Sequence, residues 1–135
     1  MKRVMVFGLG GIGGYVAAQL SRVPGVDLFF IARGAHLEAV RTKGLTYRSP
    51  DGIETVAHPT VITDDPGAVG PVDLTFLCVK GYDLPVSCGT LAGAVGPSGV
   101  VLPLLNGADI YERVRSVIRA GTVLPAGIYI SSSVT

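Results

Sequence analysis

The sequence predicts an α/β domain built on a doubly wound, mostly parallel sheet with an inserted β-hairpin. Two observations lead to this prediction. Short apolar runs alternate with amphipathic stretches along the chain, and the runs are nearly continuous rather than alternating with polar residues. Continuous runs are typical of strands that helices cover on both faces of a parallel sheet. Strands that alternate with helices are typical of doubly wound folds, whose crossovers are right-handed.

Five apolar runs give the predicted strands, and residues at helical spacing give four helices between them. Gly44 is placed to end the second helix in a left-handed cap, and Asp109 is placed as the N-cap of the fourth. The strands are Val4–Phe7, Leu28–Ile31, Leu74–Val79, Val100–Leu105 and the less sharply defined Val123–Ile130. The helices are Ile12–Val23, the segment around Leu37 and Val40, the weaker Leu84–Val95, and Asp109–Ile118.

A change of pattern after the second helix predicts the inserted hairpin. Leu45–Arg48 and Ile53–Ala57 have the composition of short strands, and Pro50-Asp51-Gly52 between them has that of a turn. The sheet resumes with the next apolar run.

Composition indicates a single folded domain over residues 1–135. Of these residues, 48% are hydrophobic and only 16% are charged, which excludes a disordered chain. Domains commonly hold roughly 100 to 200 residues. The net charge of +1 supplies no overall field for a nucleic acid or an anionic membrane surface, so neither is an expected partner and any anion must be bound locally.

The sequence also bears on location. No residue from Leu84 to Ala108 is charged, but five glycines, three prolines and Asn106 interrupt this stretch, so it is not expected to span a membrane. The N-terminus does not resemble a signal peptide, because its apolar stretch breaks at Gly8. Cys78 and Cys88 lack metal-ligand spacing and are predicted to be free thiols in a reducing compartment. We therefore expect a cytoplasmic protein and no metal site.

A glycine motif follows the first strand and opens the first helix. The residues Gly8, Leu9, Gly10, Gly11, Ile12 and Gly13 satisfy G-x-G-x-x-G in the context that dinucleotide-binding, Rossmann-type folds require. In that motif Gly8 permits the sharp turn, Gly10 leaves room for a pyrophosphate, and Gly13 allows the helix to approach the strand. The helix N-terminus supplies free N–H groups for the anion. The alternative is a tight turn that binds no ligand.

The end of the second strand predicts which dinucleotide is bound. NAD-specific folds usually carry an acidic residue about 20 residues past the glycines, to bind the ribose 2′-hydroxyl. Here the strand runs into Arg33, and the first acidic residue after it is Glu38. Because a guanidinium can bind a 2′-phosphate bidentately, Arg33 favours NADP. The alternative is a solvated arginine before a helix.

Two further strand ends place polar groups where a doubly wound sheet binds its ligands. Lys80 follows the strand at Leu74–Val79 and could meet cofactor phosphates or a substrate carboxylate. Asn106 precedes a helix and offers both a donor and an acceptor. His36 and His58 are predicted to be surface or structural residues.

Together these residues resemble the N-terminal domain of the ketopantoate reductases, the NADP-dependent 2-dehydropantoate 2-reductases of pantothenate biosynthesis. The resemblance extends over essentially the whole chain. It is carried by Gly8–Gly13, Ala32-Arg33, Val79-Lys80-Gly81-Tyr82-Asp83, Leu105-Asn106-Gly107 and Tyr129-Ile130-Ser131.

The resemblance implies a role for each matching residue. Gly8–Gly13 would hold the pyrophosphate of NADP(H), and Arg33 would contact its 2′-phosphate. Lys80 would lie along the cofactor, and Asn106 would lie beside the nicotinamide ribose and the substrate ketopantoate. Ser132 would pass near the nicotinamide, although the chain has Ser131-Ser132-Ser133 where the family typically has a small residue followed by a basic one.

The resemblance also implies that part of the enzyme lies elsewhere. Reduction of a 2-oxo acid needs a positioned acid for the new hydroxyl, and in the family this is a lysine of a mostly helical second domain. That domain would begin beyond Thr135, so no catalytic residue is expected in this chain, which alone should bind NADPH without significant turnover. Without its second domain the chain would expose an apolar surface, which predicts a possible homodimer.

Two other functions stay open at this stage. A free-standing dinucleotide-binding domain can act as a sensor that reports cofactor binding to a partner. A reductase of the same architecture can also act on another 2-oxo acid or an imine, because a fold does not select a substrate.

Overall fold

The computed structural model describes residues 2–126, which form a six-stranded sheet, a separate two-stranded hairpin and four α-helices. The strands are β1 (Lys2–Phe7), β2 (Val26–Ile31), β3 (Leu45–Arg48), β4 (Glu54–Ala57), β5 (Val61–Thr63), β6 (Leu74–Leu77), β7 (Val100–Pro103) and β8 (Thr122–Val123). The helices are α1 (Gly11–Leu20), α2 (Gly34–Lys43), α3 (Leu84–Leu91) and α4 (Ile110–Arg115), and three short 3₁₀ helices lie at Pro66–Ala68, Gly81–Asp83 and Ala92–Ala94.

The six-stranded sheet has the order β5-β2-β1-β6-β7-β8, and every neighbouring pair is parallel. This is the doubly wound order in which the chain winds outward from β1 on one side and continues from β6 on the other. The predicted fold class is therefore confirmed. The order reverses between β1 and β6, and in such sheets the ligand crevice lies at that point, at the carboxyl ends of the strands.

Both faces of the sheet are buried, as the continuous apolar runs predicted. Because side chains alternate along a strand, Val4 and Val6 of β1 pack in one core cluster with residues of α1, α2 and the hairpin. Met5 and Phe7 pack in a second cluster with residues of α3 and α4. The helices therefore form two layers, with α1 and α2 on one face of the sheet and α3 and α4 on the other.

The predicted hairpin is present and packs against α1. Its strands β3 and β4 pair in antiparallel register from Leu45 with Ala57 to Arg48 with Glu54. The rings of Tyr15 in α1 and Tyr47 in β3 meet edge to face, with centroids 5.6 Å apart. The hairpin thus packs against α1, and its residues Leu45 and Ala57 join the core cluster on that face of the sheet.

The observed ends of several elements differ from the predicted ones. Leu104 and Leu105 are buried but follow β7, which ends at Pro103, although the N–H of Leu104 still donates to the carbonyl oxygen of Leu77 in β6 at 2.8 Å. The strand β6 ends at Leu77, two residues earlier than predicted, although the N–H of Cys78 still donates to the carbonyl oxygen of Phe7, and the 3₁₀ helix at Gly81–Asp83 follows. Of the last predicted strand, Val123–Ile130, Val123 belongs to the short β8, and residues 127–130 lie outside the described part of the chain.

The helices are shorter than predicted for local reasons. The helix α1 ends at Leu20, and the chain continues in turns before Pro24-Gly25. The helix α3 tightens into a 3₁₀ turn at Ala92–Ala94. The regular part of α4 ends at Arg115, although the N–H of Ile118 still donates to the carbonyl of Val114 at 2.8 Å.

Two capping predictions need correction and one strand was missed. Gly44 has the expected positive φ of 80° but a ψ of 176°, so it is not in the left-handed helical conformation. Its positive φ suits glycine, and a Cβ there would lie 2.7 Å from the ring of His58. Asp109 does precede α4, but its side chain makes no capping hydrogen bond within residues 2–126. The short edge strand β5 was not predicted.

No helix within residues 2–126 combines the length and the apolar character that crossing a membrane requires.

Candidate functional site

The parallel register brings four strand ends to one edge of the sheet. Phe7 at the end of β1 pairs with Ile31 of β2 on one side and with Leu77 of β6 on the other. Leu77 in turn pairs with Pro103 of β7. The segments that follow these strands carry the glycine motif, Arg33, Lys80 and Asn106. All the predicted site residues among those described therefore lie along one edge, on both sides of the switch point.

The turn from β1 into α1 requires glycine at its first and last positions. Gly8 has a φ of 97°, and a Cβ there would lie 2.8 Å from the carbonyl oxygen of Cys78. A Cβ at Gly13 would overlap the carbonyl oxygen of Gly8 and come within 3.3 Å of the Cβ of Cys78. These two glycines are therefore required by the close packing of the turn against β6, whatever the site binds.

Gly10 differs from these two glycines. Its φ of −71° and ψ of −159° are open to any residue, and a Cβ there would meet no other described atom within 4 Å. Gly10 is exposed and stands immediately before α1. The fold therefore does not require glycine at this position, and its lack of a side chain leaves open space above the helix N-terminus.

The start of α1 is suited to an anion. The first N–H groups of a helix have no partner within it and point outward from its N-terminus, where the helix dipole is positive. No acidic residue lies in the first turn of α1. Leu9 is buried in the core and Ile12 is partly buried there, so mainly their backbone is available to a ligand.

Arg33 extends from the end of β2 and is highly exposed. The first turn of α2, which follows it, contains no acidic residue. The nearest opposite charge is not a neighbour in sequence: the Nη2 atom of Arg33 lies 3.8 Å from Oδ1 of Asp83, in the segment that follows β6. The sequence pattern around Lys80 includes Asp83 but does not predict its contact with Arg33, because this contact depends on the strand order.

The segment after β6 is held in place by α4. The Nη2 atom of Arg113 donates a 2.8 Å hydrogen bond to the carbonyl oxygen of Gly81. The N–H of Asp83 donates to the carbonyl oxygen of Lys80 at 3.0 Å, which closes the short 3₁₀ turn. Lys80 itself is exposed at the start of this turn. No local sequence pattern indicates this role of Arg113.

Asn106 is exposed in the loop between β7 and α4, as predicted for a residue at the crevice. The loop depends on Gly107, whose φ is 153°. A Cβ at Gly107 would lie 3.0 Å from Cγ1 of Ile110, a buried residue of α4. The predicted strand-to-helix connection at this Asn-Gly pair is confirmed. Ser132 and its neighbours Ser131 and Ser133 lie outside the described residues, so their predicted role stays a prediction.

Cys78 lies directly beneath the glycine turn. Burial raises the pKa of its thiol to about 12, so the group is protonated near neutral pH and is no nucleophile. Burial also raises the pKa of Cys88, and the positive charge of Arg113 partly opposes this. Both cysteines are free.

Within residues 2–126, no group of three or more His, Cys, Asp or Glu side chains is arranged to hold a metal ion.

The fold and the glycine turn at its switch point define a dinucleotide-binding domain of the kind found in oxidoreductases. Comparison with known proteins identifies the family more closely. The family described as ketopantoate reductase PanE/ApbA matches residues 4–135, so the chain belongs to that family.

Individual relatives agree with this assignment. The chain is 35% identical over 105 residues to the 2-dehydropantoate 2-reductase of Mesorhizobium japonicum, covering 78% of this chain and 32% of that protein. The crystal structure of 2-dehydropantoate 2-reductase from Porphyromonas gingivalis W83 is 43% identical, with a TM-score of 0.77 over 85% of this chain and 42% of that one. A PanE/ApbA family ketopantoate reductase from Ralstonia eutropha JMP134 is 28% identical, with a TM-score of 0.79 over 89% of this chain and 39% of that one. The chain therefore spans less than half the length of these relatives.

The different packing of Gly13 and Gly10 predicts unequal effects of alanine on stability. Gly13→Ala should lower the free energy of unfolding by about 1–3 kcal/mol, because its methyl group overlaps the turn. Gly10→Ala should change that free energy by less than about 1 kcal/mol, because its backbone angles suit alanine and no atom obstructs a Cβ, while the preference for glycine over alanine at the N-cap offsets the loss of freedom in the unfolded chain. Urea unfolding of both variants checks this. Equal destabilisation would contradict the packing described.

The raised thiol pKa values predict a pH dependence of stability. A folded-state pKa above the unfolded one favours folding fully below about pH 9, and this contribution is lost as the pH rises toward about 12. Stability should therefore fall as the pH rises from about 9 toward about 12, by at most about 1.4 kcal/mol per pH unit for each thiol. Cys78→Ala should reduce this slope in urea unfolding. An identical slope in the variant would show that Cys78 titrates normally.

Proposed function

We propose that this chain is the NADP-binding domain of a 2-dehydropantoate 2-reductase, which reduces the ketone of ketopantoate to give pantoate. The observation that carries the proposal is Gly10, a glycine that the fold does not require, placed at the switch point of a chain from this family. A dinucleotide whose pyrophosphate lies against the start of α1 explains why this position has no side chain.

The residues at the crevice fit NADP. The free N–H groups at the start of α1 would bind the pyrophosphate, with Gly8 and Gly13 keeping the turn close to β6. Arg33, an exposed guanidinium at the end of β2 with no acidic residue in the following turn, would bind the 2′-phosphate. When bound, the reduced cofactor supplies the hydride for the ketone.

Two residues on the other side of the switch point are proposed to orient the substrate and the nicotinamide end. Lys80, exposed after β6, carries a positive charge that suits the carboxylate of a 2-oxo acid or a cofactor phosphate. Asn106, exposed after β7, can donate and accept hydrogen bonds at the nicotinamide ribose or the substrate. The acid that protonates the new hydroxyl is expected in the helical second domain that the family resemblance implies.

Location and assembly belong to the same proposal. We infer a cytoplasmic protein, because both cysteines are free, one partly buried and one buried, and free thiols are typical of reducing compartments. The homodimer predicted from an uncovered apolar surface stays a prediction, which sedimentation would test.

The proposed role of Arg33 predicts a selective loss of affinity. Arg33→Ala should weaken NADPH binding by about tenfold or more, because a charge-assisted hydrogen bond contributes about 1.5–3 kcal/mol. NADH binding should change little, since NADH has no 2′-phosphate. Paired fluorescence titrations measure both affinities. Equal affinities for NADPH and NADH in the unmodified chain would overturn the assignment of NADP.

If the cofactor site and the proton donor lie in different domains, this chain should bind NADPH without reducing ketopantoate. The 135 residues expressed alone should bind NADPH but oxidise it negligibly with ketopantoate present, because the expected proton donor is outside them. NADPH absorbance with and without ketopantoate checks this, and a full-length relative serves as the positive control. Ketopantoate-dependent turnover by the 135 residues would contradict the proposal that the acid lies elsewhere.

A further inference from the structure

We propose that Asp83 is a specificity-determining residue that weakens the preference of this site for NADPH over NADH. Its carboxylate competes with the 2′-phosphate for Arg33 and repels that phosphate. The inference rests on the proposed function, because it concerns how the same site distinguishes two dinucleotides.

The contact spans the candidate crevice. Arg33 follows β2 and Asp83 lies in the turn after β6, and β1 with its glycine turn lies between these strands. The guanidinium Nη2 and the carboxylate Oδ1 are 3.8 Å apart. The Arg33 side chain is 81% exposed and that of Asp83 is 35% exposed. An incoming ligand can therefore reach Arg33, while the carboxylate is held closer to the protein surface.

The position of Asp83 is fixed by the backbone on both sides. The turn that contains it is closed by its own N–H and is held by Arg113 through the carbonyl oxygen of Gly81. Asp83 precedes α3, yet in the described part of the chain its side chain makes no hydrogen bond that caps this helix. The carboxylate of Asp83 therefore does not cap α3, and its ion-pair partner is Arg33.

Charge makes this arrangement selective between the two cofactors. A phosphate monoester carries a charge of about −2 near neutral pH. If it binds at Arg33 it must share the guanidinium with a fixed negative charge within about 4 Å, whereas the 2′-hydroxyl of NADH brings no charge to this place. Asp83 thus disfavours NADPH by charge repulsion rather than by a steric clash. Unfavourable interactions of this kind are one way in which binding sites distinguish between ligands.

The test removes the charge and keeps the shape of the side chain. Asp83→Asn should tighten NADPH binding by about two- to fivefold, the size expected for one exposed charge pair, and should leave NADH binding almost unchanged. Fluorescence titrations at low ionic strength, about 20 mM, keep screening small. In an Arg33→Ala background the gain in NADPH affinity should shrink, because the competition for the guanidinium is gone.

A matched control is available on the hairpin. Glu54 forms an exposed ion pair with Arg48 at 2.7 Å. Its neighbour Thr55 bonds to Arg22, just beyond the C-terminal end of α1. The glycine turn is at the other end of this ten-residue helix, about 15 Å away. Glu54→Gln changes the net charge by the same amount and should leave both affinities unchanged.

The outcomes separate this inference from the proposed function. An unchanged ratio of the NADPH and NADH dissociation constants in Asp83→Asn, with both nucleotides bound, would overturn the role of Asp83 alone. The same shift in Glu54→Gln would also overturn it, since net charge would explain the effect. If the unmodified chain binds neither nucleotide, the proposed function fails and this inference fails with it.

Discussion

The parallel pairing of β1 on both of its sides is the constraint on which the rest of the structure depends. Phe7, the last residue of β1, pairs with the last residues of its two neighbours, Ile31 of β2 and Leu77 of β6. The segments that follow these three strands therefore begin side by side at the carboxyl end of the sheet. Strands lie about 4.8 Å apart, which brings these segments within reach of one extended ligand. A register shift of one residue would exchange the two faces of β1, and with them the core clusters on which both helical layers pack.

The glycine turn depends on this pairing. Gly8 can pass close to the carbonyl group of Cys78 only because β6 lies beside β1, and the thiol of Cys78 is buried for the same reason. Two of the motif's glycines thus serve the packing of the protein, whereas Gly10 leaves room for a ligand. This separation within one short motif is stronger support for a binding site than the motif alone.

Much of the fold could be predicted from the sequence because the two-sided burial of the sheet leaves continuous apolar runs. The predicted end of the fourth strand was wrong because burial continues past it: Leu104 and Leu105 are buried although β7 ends at Pro103. The edge strand β5 was missed because it has only three residues, and one of them, Val61, is 42% exposed. The contact between Arg33 and Asp83 could not be predicted, because it depends on the strand order rather than on local sequence.

The hairpin has a practical consequence for experiments on this domain. Its turn at residues 49–52 is largely exposed and is closed by its own hydrogen bonds, including one from the N–H of Ser49 to the carbonyl oxygen of Ile53. This turn lies near the C-terminal end of α1, away from the crevice. Exposed turns of this kind tolerate insertions. A fluorophore or affinity tag placed there would report on or immobilise the domain while leaving the opposite edge of the sheet accessible.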